Sequence, residues 1–107
     1  MMFIRNKDAK PVSLIPGVIR RTLAVGQTMM VCEFTFETEV AIPIHSHPHE
    51  QIGYVVEGQV EMNIGGEKVI LHKGDSYSAP SNVPHGAFML MPTIIIDTFS
   101  PLREDYL

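Results

Sequence analysis

The segment Pro43-Ile44-His45-Ser46-His47-Pro48-His49-Glu50-Gln51 crowds three of the five histidines of this 107-residue chain into one short stretch. In an extended backbone alternate side chains share a face, so the imidazoles of His45 and His47 can converge on one point. His85 follows a turn-rich run, Pro80-Ser81-Asn82-Val83-Pro84, and is available to the same point if the fold brings it back. A nitrogen-rich set of this kind suits a divalent transition metal. Each histidine alone also reads as an ordinary solvated side chain in a polar turn, and His49 and His72 fit that reading.

Outward from this segment the chain is cut into short pieces by eight Gly and eight Pro, and no stretch carries a long apolar pattern of helical period. That punctuation predicts an all-β barrel or sandwich. Met30, Cys32, Phe34 and Phe36 alternate with Glu33 and Thr35, which predicts a half-buried strand with Cys32 inside as a small apolar residue and not a nucleophile. Val60, Met62 and Ile64 alternate with Gln59, Glu61 and Asn63, and Gly65-Gly66 then turns the chain into Glu67–His72. With Gly58 read as another tight connection, residues 51–72 form a three-strand meander. Ile52, Tyr54 and Val56 oppose Gln51, Gly53 and Val55, so both faces of that strand are largely apolar. Cover on both sides is then needed, from a second subunit in a homodimer or from the N-terminal segment folding back.

The length suits one domain spanning 1–107. With 45% hydrophobic and 19% charged residues the composition is that of a soluble globular protein. The formal charge of -4 has no basic run within it, which argues against nucleic acid as a partner. No stretch approaches the ~20 apolar residues of a membrane span. No apolar h-region follows Arg5, Lys7 and Lys10, so no signal peptide is expected. The lone Cys32 excludes an intrachain disulfide and suits a cytoplasmic location.

The spacing of the histidines resembles that of the cupin superfamily across nearly the whole chain. Its first motif is matched by His45, His47, Gln51 and Gly58, and its second by Gly74, Pro80 and His85, with Val40 standing where the first motif has its leading Gly. The resemblance implies an all-β cupin fold, a double-stranded β-helix of jelly-roll type, with one divalent metal ion (Zn, Ni, Mn, Fe or Cu) on His45, His47, Gln51 and His85. Many cupin oxygenases place Glu where this chain has Gln51. A neutral ligand leaves the metal charge uncompensated, which favours a small anionic substrate and Lewis-acid or acid-base chemistry over redox cycling.

The last strand, Thr93–Phe99, embeds Asp97 in a branched apolar run, where it is either a desolvated proton carrier or a solvated strand-end acid. Asp97-x-Phe99-Ser100-Pro101-x-Arg103-x-Asp105, together with the phrases around His45 and His85, is similar to the KdgF group of pectin-degradation cupins. That group linearises 4,5-unsaturated monouronates from pectin and alginate to ketouronates. The resemblance implies that Asp97 handles protons, Arg103 contacts the substrate carboxylate and Phe99 walls the pocket; a surface pairing of Arg103 with Glu104 or Asp105 is the plainer alternative. Tyr54, Met62, Met89 and Met91 are further candidates to border the cavity, with His49 a candidate partner of the ligands. A small-molecule dioxygenase and a non-catalytic ligand-binding cupin share the fold and stay open beside the ring-opening reading.

Overall fold

The structure, a computed structural model, describes residues 2–107. Ten strands, with a short 3-10 turn near each end of the chain, form two antiparallel sheets: β1 Pro11–Ile15, β2 Val18–Val25, β3 Met30–Phe36, β4 Ala41–His45, β5 Glu50–Glu57, β6 Gln59–Ile64, β7 Glu67–His72, β8 Ser76–Ala79, β9 His85–Met89 and β10 Thr93–Ser100. The larger sheet runs β1-β2-β3-β10-β5-β8 and the smaller β4-β9-β6-β7. This is the two-sheet, jelly-roll arrangement expected from the punctuation.

The strand periodicity places the core. Met30, Cys32, Phe34 and Phe36 of β3 point inward, and on β10 so do Thr93, Ile95, Asp97 and Phe99. The β3 residues, Ile95 and Phe99 meet Val60, Met62 and Met89 from the smaller sheet in one cluster. Full burial of side chains such as Phe99 or Ile95 stabilises the fold by roughly 1.5–3 kcal/mol each. Cys32 lies inside this cluster with no exposed surface, and burial pushes its thiol pKa up, so it behaves as a packing residue.

One expectation is corrected. Residues 51–72 are not a three-strand meander: β5 pairs with β10 and β8, whereas β6 pairs with β7 and β9. Within residues 51–72 only β6 and β7 form a hairpin, through Gly65-Gly66, both at positive φ. Gly58, at φ +102°, is where the chain leaves one sheet for the other; a β-carbon there would lie 2.5 Å from the Pro92 carbonyl oxygen and the Thr93 hydroxyl. Alternation and turn residues report local geometry, and a sheet-to-sheet corner and a hairpin use the same glycine.

The outer face of β5 is left open. Ile52 and Tyr54 are about half exposed, at 52% and 50%, because β1 lies at the opposite edge of that sheet and the segment before it contacts β2 and β3, through Arg21 to the Ala9 carbonyl and Asn6 to Glu33. The described N-terminal residues therefore do not supply the cover, which is the second of the two possibilities the sequence leaves.

Candidate active site and metal centre

His45 at the end of β4, His47 just beyond it and His85 at the start of β9 are brought together because β4 and β9 pair with His45 opposite His85. Ring nitrogens of all three lie within 4.8 Å of one another. Each Nδ1 lies 2.9 Å from a backbone carbonyl oxygen, that of Pro43, His49 and Val83 respectively. A neutral imidazole that donates from Nδ1 carries its lone pair on Nε2, so the backbone selects the ligating tautomer at all three positions. Burial and the Arg103 charge push His47 below the usual imidazole pKa, and burial does the same to His85, which favours the neutral forms that bind metal.

Two orphaned contacts test the fit to a cation. Nε2 of His85 is buried with no hydrogen-bond partner. Nε2 of His47 faces Gln51 Oε1 at 3.1 Å, lone pair to lone pair when Nδ1 holds the proton. Unpaired buried acceptors are costly, and a positive ion among them removes the cost. The donor set, three imidazole nitrogens and an amide oxygen, fits a divalent transition metal.

The cluster opens into a cavity of about 270 Å³ between the sheets. Met62, Met89 and Phe99 line its apolar wall, and His45, Gln51, His85, Asp97 and Arg103 supply its polar groups. Asp97 is 4% exposed, in phase with Ile95 and Phe99 on the inward face of β10, which resolves the choice left open by its strand-end position. Burial lifts its carboxyl pKa to about 6, against the hydrogen bonds from Tyr77 and Gln51 and the Arg103 charge, which pull it down. The Arg103 guanidinium stacks 3.9 Å from the Tyr106 ring centroid and 5.1 Å from that of Phe99. It also pairs with Asp105 at 3.0 Å, so the surface ion pair and the cavity position hold together.

Tyr54 is corrected: it alternates with Gly53 and Val55 and points outward, so it does not border the cavity. The tyrosine that does is Tyr77 on β8, which donates to Asp97 Oδ1 at 2.5 Å and receives from Gln51 Nε2 at 3.2 Å. Its signal in the sequence is Gly53, an interior strand glycine of the kind that marks a close approach. Register places Gly53 between Asp97 and Tyr77, and a β-carbon there would overlap the Tyr77 ring. Met91, half exposed beyond β9, is absent from the cavity wall. His49 accepts from His47 through its carbonyl group, and its ring packs edge-on against the His47 ring at 5.5 Å between centroids.

The Asp97 shift has a consequence for stability. In metal-free protein the folded state keeps a proton on Asp97 between about pH 4 and pH 6 that the unfolded chain has released, so this group's contribution falls as pH rises through that window. Relative to Asp97→Asn, chelator-treated wild type should lose on the order of 2–3 kcal/mol from below pH 4 to pH 7 in urea melts. A difference that does not vary with pH would show that the carboxyl is not desolvated.

Residues 32–93 match the cupin domain family. The chain belongs to the cupins. This cupin is 46% identical over 81 residues to the pectin degradation protein KdgF of Dickeya dadantii, an alignment covering 74% of this chain and 73% of that one. Among solved structures it superposes on KdgF from Halomonas sp. with a TM-score of 0.93 at 37% identity, covering 98% of this chain and 97% of that one. An RmlC-like cupin from Shewanella frigidimarina gives a TM-score of 0.96 at 34% identity, covering 100% and 96%. The cupin is thus close to KdgF in both sequence and fold.

Proposed function

We propose that this cupin is a metal-dependent enzyme that opens 4,5-unsaturated monouronates to linear ketouronates. The observation that carries this reading is a buried carboxyl of raised pKa, Asp97, facing the same cavity as the three-histidine cluster and Arg103. The likeness to KdgF, named for pectin degradation, supports the substrate class.

The reaction breaks the bond between the anomeric carbon and the ring oxygen of an unsaturated hemiacetal. The anomeric hydroxyl loses its proton and becomes the aldehyde, the bond's electron pair moves to the ring oxygen to give an enolate, and protonation of the vinylic carbon yields the ketone. A metal ion held by His45, His47, Gln51 and His85 would supply charge stabilisation for oxygen anions. Asp97 is poised near neutrality to take the first proton and return one to carbon. Arg103, its fork backed by Asp105 and its plane by Tyr106, is held to receive the substrate carboxylate. Met62, Met89 and Phe99 keep water from the enolate face.

The test is loss of the conjugated-alkene absorbance of the unsaturated monouronate, with the protein loaded in turn with each candidate metal. Acceleration over the spontaneous rate is expected; none with any metal would move the dioxygenase or ligand-binding reading ahead. In the same assay Arg103→Ala should chiefly raise KM, by about 10-fold or more, with a smaller change in kcat.

The exposed Ile52 and Tyr54, on a sheet face that none of the described residues covers, support a homodimer. Light scattering at micromolar concentration should give twice the 11.9 kDa chain mass, and the chain mass alone would remove the claim. A buried lone thiol and the expected substrate support a cytoplasmic location.

A further inference from the structure

We infer that Tyr77 is a positioning residue that sets the polarity of the Gln51 side-chain amide, so that its oxygen and not its nitrogen faces the three histidines. The inference rests on the metal-site reading above. An amide's two ends have almost the same shape, and only its hydrogen-bond partners decide which end points where. Here the decision propagates from Asp97. Tyr77 has one hydroxyl hydrogen, and it is donated to Asp97 Oδ1. The Tyr77 oxygen then has only lone pairs to offer Gln51, so the end of the amide 3.2 Å away must be the donor, Nε2. Oε1 is thereby turned to His47 Nε2 at 3.1 Å, and the His47 tautomer is held by the His49 carbonyl.

The sequence makes room for this arrangement at Gly53. That residue pairs with Asp97 on one side and Tyr77 on the other, and a β-carbon there would overlap the ring and sit 2.5 Å from Asp97 Oδ1. The ring can lie across β5 only because position 53 has no side chain. The chain of donors is therefore directed, from the Gln51 amide through the Tyr77 hydroxyl to the Asp97 carboxylate. Asp97 also accepts from the Gln51 amide, so without the Tyr77 hydroxyl the NH₂ loses one of its two acceptors on that side, and rotation of the amide to give its NH₂ to His47 Nε2, which would remove the fourth ligand, is opposed less.

Affinity for Zn²⁺, Ni²⁺ and Mn²⁺, measured on chelator-treated protein against a chromophoric competitor, tests this without any turnover. Tyr77→Phe keeps the ring and touches no histidine, yet should weaken binding by about 10-fold or more. A glutamate has two acceptor oxygens and no wrong end, so in a Gln51→Glu background the Tyr77→Phe loss should shrink to about threefold or less. Equal affinity of wild type and Tyr77→Phe overturns the inference, and so does an equal Tyr77→Phe loss in both backgrounds, which would mean packing and not amide polarity. Wild type binding none of the three ions would instead overturn the metal-site reading, and the inference with it. If Tyr77→Phe does not fold, Asp97→Asn probes the chain from its other end. An asparagine can donate to the Tyr77 oxygen and release the Tyr77 hydrogen to Gln51 Oε1, reversing the amide. Asp97→Asn should then weaken metal binding about 10-fold while removing no ligand, and unchanged affinity would overturn the inference by that route.

Discussion

Replacing Asp97 with Asn should lower kcat on the unsaturated monouronate by on the order of 10²-fold or more, measured at saturating metal. The substitution preserves size and burial and removes the one titratable oxygen pair of β10 that faces the cavity. Asn can neither take the anomeric proton nor return one to carbon, so the loss belongs in the chemical step. Saturating metal matters because Asp97 also sits at the end of the hydrogen-bond chain through Tyr77 to Gln51. A variant with unimpaired kcat would leave the substrate reading standing and remove Asp97 from the proton-transfer role. Arg103 is the nearby alternative only for binding, since its planar fork of donors suits a carboxylate.

The second large effect is on metal content. His47→Ala and His85→Ala should each strip most of the metal from purified protein, read by elemental analysis. The three imidazoles come from two segments joined by the β4–β9 pairing and by the Asn82 N–H donated to the His47 carbonyl, and each is aimed by its own backbone carbonyl. Removing one leaves two nitrogens and an amide oxygen, too few to close a tetrahedral site without extra water. His85 lies 4% exposed at the base of the cluster, so solvent cannot easily replace it. Full occupancy in both variants would place the site elsewhere. His72 serves as the control: it pairs with Asp75 at the exposed end of β7, and its replacement by Ala should leave metal content unchanged.

The strands were legible because one face of each packs on a common core. A period of two is imposed wherever one side of a sheet is dry, and β3 and β6 show it in the sequence of Met30–Phe36 and Gln59–Ile64, whereas the apolar run of β10 shows it only in its burial. The site was half legible in the same way. His45 and His47 are two apart and must share a face, whereas Tyr77 lies 26 residues from Gln51 and 20 from Asp97 and has no local mark of its own. Tyr54, nearer in sequence, is turned to the outside by the same alternation that turns Gln51 inward.

What the sequence by itself determined was therefore periodic and local: the strands, the Gly65-Gly66 hairpin, the inward phase of Cys32 and the spacing of histidines and glycines that the cupins share. Tertiary structure alone decided the partners. It set β5 beside β10 and β8 instead of β6, buried Asp97, laid Tyr77 across Gly53 to reach it, and folded Arg103 back over Phe99 and Tyr106. The physical reason is that alternation follows from the backbone geometry of each strand separately. Strand pairing, desolvation and hydrogen-bond direction instead depend on atoms that residues far apart in the chain bring to one place.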